Sequence, residues 1–179
     1  QYWATAAAFA VFGISDFAAR FWPGLTGAFA VLALWWTTRA VLGPRIALYS
    51  AGVLGSCVWW LGNSHFVNLD MGLSASLCLA MLGFWYGQRD QARAADNRLG
   101  MRLAWAGMAL AMLSKGLIGI VLPGGVLFFY SLWQRDLRLW DRLHLASGLL
   151  LFLAIVAPWF VWVQARNPEF SDFFFFHEH

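Results

Sequence analysis

LAWAGMALAMLSKGLIGIVLPGGVLFFYSLW, residues 103–133, contains one charged side chain, Lys115. Two uncharged runs, 103–113 and 117–133, flank a Ser114-Lys115-Gly116 turn. Runs like these, punctuated by Gly and Pro, read as helices solvated by lipid. Lys115 is the only lysine in the chain; every other cation is an arginine. Charge at a membrane is expensive to hold, so a lone ammonium between two apolar segments marks a working position.

The pattern repeats on both sides of this stretch. Apolar segments at 22–38, 46–62, 70–87 and 143–163 join the two above, giving an all-α, polytopic membrane bundle of about six spans. The chain of 179 residues is 61% hydrophobic and 12% charged, more apolar surface than a soluble domain can hide. Its 12 Trp and 16 Phe suit aromatic belts at the two interfaces. Residues 2–13 are too short to span, and Ser15 with Asp16 offers an N-cap for a following piece. Residues 1–21 therefore read as interfacial helices of an outward loop, 22–163 as the bundle and 164–179 as an outward tail. Asn63-Ser64-His65 is expected to break the second span, and Gly124-Gly125 after Pro123 to mark close packing or a kink. The chain opens on Gln1 without a signal-peptide pattern and reads as a segment of a longer polytopic protein. The fourth span is short: 11 residues cover about half of a ~30 Å hydrocarbon core. Either its helix begins within 98–102, or Lys115 lies recessed in a sheltered cavity where a phosphate could bind it.

Charge gives the topology. Nine of the 12 basic residues fall in the loops 39–45, 88–102 and 134–142. The opposite ends carry Arg20, Lys115 and Arg166 among five acids, Asp16, Asp70, Glu169, Asp172 and Glu178. Positive residues favour the cytoplasm, so three polar islands face the periplasm or a lumen. They are Asn68-Leu69-Asp70, Ser114-Lys115-Gly116 and His177-Glu178-His179. A net charge of +3, segregated in this way, does not suggest nucleic acid.

Each island has a plain and a functional explanation. Asp70 opens an apolar span, where a carboxylate caps free N–H groups and meets the helix dipole. The same carboxylate at the membrane edge could order a sugar, a metal or a catalytic cation, and both readings stand. Lys115 could snorkel from a helix C-terminus, but its solitary outward position beside Gly116 favours contact with a polyprenyl phosphate. In an extended segment His177 and His179 share a face while Glu178 points away. Zinc takes about four ligands and this motif offers two or three, so a polar stop after Phe173-Phe174-Phe175-Phe176 is the simpler account. His65 reads as an interfacial residue. Cys57 and Cys78 lack metal-ligand spacing and read as buried hydrophobes. No phosphate-binding glycine loop, HExxH, CxxC or nucleophile elbow is present.

The order of the motifs carries a resemblance. The run Phe12-Gly13-Ile14-Ser15-Asp16-Phe17-Ala18-Ala19-Arg20 precedes Asn68-Leu69-Asp70-Met71. Then come Leu113-Ser114-Lys115-Gly116, and Arg166-Asn167-Pro168 leading to His177-Glu178-His179. This resembles the bacterial branch of the protein mannosyltransferase-like membrane glycosyltransferases. Within it, the pattern is similar to the transferases that move 4-amino-4-deoxy-arabinose from undecaprenyl phosphate to lipid A. The resemblance implies a GT-C-type helical bundle in the bacterial inner membrane, with its active site facing the periplasm. It implies a polyprenyl-phosphate sugar donor and a lipid or protein acceptor. By motif, Lys115 would lie near the donor phosphate, Asp70 would support the site, and His177, Glu178 and His179 would contribute to a divalent metal site such as zinc. The family's main catalytic carboxylate would precede Gln1, so this segment alone is expected to be inactive. A transporter or lipid flippase and a purely structural membrane subunit are the competing classes. The first needs charges near the bilayer midplane; the second would leave the islands dispersed around the rim.

Overall fold

The computed structural model describes residues 1–135 and 138–167, and among them every regular element is a helix. In chain order these are α1 (Tyr2–Phe12), α2 (Asp16–Leu42), α3 (Pro44–Ser56), α4 (Val58–His65) and α5 (Asp70–Gln88). They continue with α6 (Ala94–Lys115), α7 (Ile118–Gln134), α8 (Arg138–Asp141) and α9 (Leu145–Arg166).

The centre is the antiparallel hairpin of α5 and α6, with α2 packed on α5 and with α7 and α9 packed on α6. Small residues let its two backbones touch. A Cβ placed on Gly83 would lie 2.6 Å from the Ala104 nitrogen and the Gly100 oxygen, and one on Gly107 would lie 2.6 Å from the Ala80 nitrogen. Only glycine permits that approach, as in other small-residue seams between membrane helices. The core builds out from this seam through Ala80, Phe84, Met101, Ala104, Met108, Phe152 and Val156. Outside it, large apolar side chains face away from the protein, among them Trp59, Leu150 and Trp133. A lipid-solvated bundle turns its apolar residues outward in this way.

Two helices, α2 and α9, are long and apolar enough to cross a bilayer unaided; α7 is apolar but has 17 residues. The central pair carries more small and polar residues because its faces bury one another.

Several expectations are redrawn. Residues 16–21 and the span at 22–38 form one helix, started by Ser15, whose Oγ accepts the Ala18 N–H at 3.3 Å. At 27 residues it rises about 40 Å, longer than the hydrocarbon core. The second span does not break at Asn63-Ser64-His65. It breaks at Cys57, between α3 and α4. The three polar residues stay helical because each bonds back one turn, to the carbonyls of Trp59, Trp60 and Leu61. Cys57 is thus an exposed hinge residue rather than a buried hydrophobe, while Cys78 is half-buried.

The fourth span begins earlier than either boundary considered. Helix α6 starts at Ala94, where Asp96 accepts the Arg93 N–H at 3.4 Å. Its 22 residues rise about 33 Å, a full crossing. Arg98 and Arg102 lie on its exposed face while Asn97, Gly100, Met101 and Ala104 are buried. A charged stretch that looks like a loop is therefore one side of a helix. Lys115 is not recessed. Gly124 and Gly125 do not serve close packing, since a Cβ on either would meet nothing within 4 Å.

Candidate active site at the outward rim

The α5–α6 seam sets helix register, and register brings two of the three islands together. Asp70 is the first residue of α5 and Lys115 the last of α6. Lys115 Nζ donates to Asp70 Oδ1 at 2.6 Å across 45 residues of chain. The side chains are 51% and 53% exposed, so solvent screens the pair and its contribution to stability is about 0–1 kcal/mol. Either partner can exchange it for another charge at little cost.

The capping role expected of Asp70 belongs to its neighbour. Asn68 Oδ1 accepts the Met71 N–H at 3.3 Å, and Asn68 Nδ2 donates to Asn63 Oδ1 at 2.9 Å. That leaves the Asp70 carboxylate for Lys115 while its charge still complements the α5 N-terminus. The lysine is held by the turn behind it. Gly116, at φ 78°, closes α6 by donating its N–H to Met112 O at 2.8 Å. A Cβ on Gly119 would strike the Met112 nitrogen, so α7 must return tightly against α6 there.

Next to the pair, α2, α5 and α6 enclose a cavity of about 420 Å³. Gly72, two residues after Asp70, and Ser114, just before Lys115, line its upper wall. Trp22, Leu25, Phe29, Leu79, Leu110 and Leu113 line the rest. Its hydroxyls offer little polarity, because Thr26, Ser76 and Ser114 all bond back to carbonyls of their own helices. The cavity is mostly apolar, and Gly72 and Ser114 bring its lining within two residues of the Asp70–Lys115 pair in sequence, a chemistry that suits a lipid with a phosphate head.

His65, the other candidate among the described residues, makes no bond to this pair; it is exposed, its Nδ1 2.7 Å from Leu61 O. His177, Glu178 and His179 lie outside the described residues. Among those described, no three His, Cys, Asp or Glu side chains converge on a possible metal position.

Sequence reasoning missed a second polar cluster, at the arginine-rich end. Arg89 pairs with Asp96 at 2.7 Å, and Tyr86 Oη donates to the same carboxylate at 3.1 Å. The buried Asn97 amide donates to Gly87 O at 3.0 Å and Arg142 O at 3.2 Å. This cluster ties the α5–α6 loop to the start of α9 and fixes the far end of the hairpin. Asn97, between Asp96 and Arg98, gives no local signal of burial, and of its two acceptors Gly87 lies 10 residues away and Arg142 lies 45.

Known proteins share this architecture. The family model described as dolichyl-phosphate-mannose-protein mannosyltransferase matches residues 1–174. The undecaprenyl phosphate-alpha-4-amino-4-deoxy-L-arabinose arabinosyl transferase 2 of Pseudomonas fluorescens is 31% identical over 99% of this chain and 30% of its own length. The corresponding transferase of Pseudomonas paraeruginosa is 32% identical over 99% of this chain and 32% of its own. The crystal structure of ArnT from Cupriavidus metallidurans bound to undecaprenyl phosphate superposes with a TM-score of 0.96 at 40% identity. Its apo form gives 0.95, and both alignments cover 99% of this chain and 33% of that one. The chain thus spans about a third of the length of the relatives it matches.

Proposed function

The chain belongs to the dolichyl-phosphate-mannose-protein mannosyltransferase family, and on that premise we propose that it is the membrane portion of a polyprenyl-phosphate-dependent glycosyltransferase. Its donor is a sugar such as 4-amino-4-deoxy-arabinose on undecaprenyl phosphate. Its acceptor is lipid A or another extracytoplasmic lipid or protein. The protein sits in the bacterial inner membrane and works at the periplasmic face. The observation that carries this reading is the Asp70–Lys115 pair at 2.6 Å, adjacent in sequence to Gly72 and Ser114 of the apolar cavity lining and opposite the arginine-rich end.

The chemistry follows from charge. An acceptor oxygen attacks the anomeric carbon, the bond from that carbon to the phosphate oxygen breaks, and the polyprenyl phosphate departs with the electron pair. The acceptor's proton goes to a base. Charge grows on the leaving phosphate, where a fixed ammonium is worth most. Lys115 is the group for that task, and the apolar wall holds the polyprenyl chain. Asp70 acts as a positioning residue: it keeps the ammonium at the rim when the phosphate is absent and shares it when the phosphate arrives. By the family motif, His177, Glu178 and His179 would contribute ligands to a divalent metal such as zinc. Both rim charges sit at helix ends, whereas a transporter needs them near the midplane.

The test is Lys115→Ala in the full-length protein, assayed for sugar transfer from the undecaprenyl-phosphate donor. A loss of about 100-fold or more at unchanged protein abundance is expected. Transfer at the wild-type rate would overturn the assignment.

A further inference from the structure

At the arginine-rich end, far from the rim, a second concave site has no part in the proposed chemistry. Arg98 and Arg102, one turn apart on α6, face His144, Ser147 and Gly148 at the start of α9. No acid lines this pocket. The adjacent acid, Asp96, is already held by Arg89 at 2.7 Å and Tyr86 at 3.1 Å. Arg98 uses its Nε on Ala94 O at 3.3 Å, and among the described residues its terminal N–H groups have no hydrogen-bond partner. Arg102 makes no hydrogen bond or ion pair among the described residues.

The pocket is built rather than incidental. His144 takes a left-handed backbone, φ 50°, uncommon outside glycine. It is held there through its Nε2, 2.8 Å from Oδ1 of the buried Asn97. A Cβ on Gly148 would collide with the Trp105 indole, and that indole donates to Leu143 O at 3.0 Å. The floor is therefore fixed where the two helices close.

The free volume is about 50 Å³, several times the roughly 10–15 Å³ one water needs and of the order of a single phosphate group. Two guanidinium forks suit phosphate oxygens, while the Ser147 hydroxyl at the pocket wall donates to His144 O at 3.2 Å. Leu99 and Leu145, exposed on the two helices within a turn of the pocket, continue it into apolar surface that acyl chains would cover. Basic pockets between membrane helices on the positive side hold anionic head groups. We propose that Arg98 and Arg102, in the pocket that Ser147 helps to line, bind the phosphodiester of an anionic phospholipid in the leaflet at the arginine-rich end.

The test uses the purified, delipidated full-length protein, titrated with phosphatidylglycerol or phosphatidylcholine and read by native mass spectrometry. The wild type retains phosphatidylglycerol and not phosphatidylcholine. The double variant R98Q/R102Q binds phosphatidylglycerol about thirtyfold more weakly. The R39Q/R45Q control, altered at the same end but outside the pocket, binds as the wild type does. Ser147→Glu, which places an acid in the first turn of α9 where helices favour one, lowers lipid binding while keeping helix content. Unchanged binding in R98Q/R102Q or in Ser147→Glu would overturn the proposal. So would equal loss in the control, or displacement of the lipid by millimolar inorganic phosphate. None of these measurements requires donor or acceptor.

Discussion

Asp70 holds an ordinary position and carries a proposed role as well. Its position at a helix N-terminus is favourable without any site, yet Asn68 makes the capping bond and Asp70 reaches across to Lys115. The half-exposed pair supplies about 0–1 kcal/mol, so stability and activity should separate. Asp70→Asn in the full-length protein is expected to leave thermal unfolding within about 1 kcal/mol of wild type while raising the KM for the polyprenyl donor. A double-mutant cycle with Lys115→Ala should then give donor-use effects well short of additive, because both variants disturb one ammonium. Additive effects would mean that the two residues act on different ligands. The charge count alone puts Asp70 and Lys115 on one face, so this half of the site was legible in the sequence. Their contact was not, since it depends on how α5 and α6 align.

That alignment belongs to the elements. Gly83, Gly100 and Gly107 bring the two backbones together, and a Cβ on Gly100 would lie 2.6 Å from three backbone atoms of α5. Gly100→Ala is expected to lower stability by about 1–3 kcal/mol through overpacking. It should also lower activity, because a shifted seam separates Asp70 from Lys115. Gly124→Ala and Gly125→Ala, where a Cβ meets nothing, should be neutral or stabilise α7 by up to about 1 kcal/mol. Detergent-solubilised unfolding curves for the three variants give the comparison, and equal effects at all three positions would refute the seam's role. The helices themselves were largely legible: α5, α7 and α9 fall close to the apolar segments that predict them. Two features were missed. The Gly55-Ser56 pair is a local signal for the break at Cys57 that was not read, and α3 and α4 each pack on α2 on either side of it. The arginines of 98–102 resemble a loop because sequence shows their charge and not the buried side, Asn97, Gly100 and Met101, that keeps the helix going.

At the scale of the whole molecule, the two ends of the bundle do different work. One carries the Asp70–Lys115 pair. The other carries the Arg89–Asp96 and Asn97 cluster, which anchors the central hairpin. The fold fixes that these ends are opposite, since Asp70 begins α5 and Gln88 ends it. The proposed sidedness rests on the arginines, nine of which gather at one end. The arrangement predicts labelling. In the full-length protein with Cys57 and Cys78 replaced by serine, a cysteine at His65 should react with a membrane-impermeant maleimide applied to intact spheroplasts. A cysteine at Asp90, in the loop between α5 and α6, should react only after the membrane is broken. Both positions are exposed, so failure to label reports the membrane and not burial. The reverse pattern would place Lys115 in the cytoplasm, where no extracytoplasmic acceptor could reach it. It would remove the periplasmic transferase reading even if Lys115→Ala abolished activity.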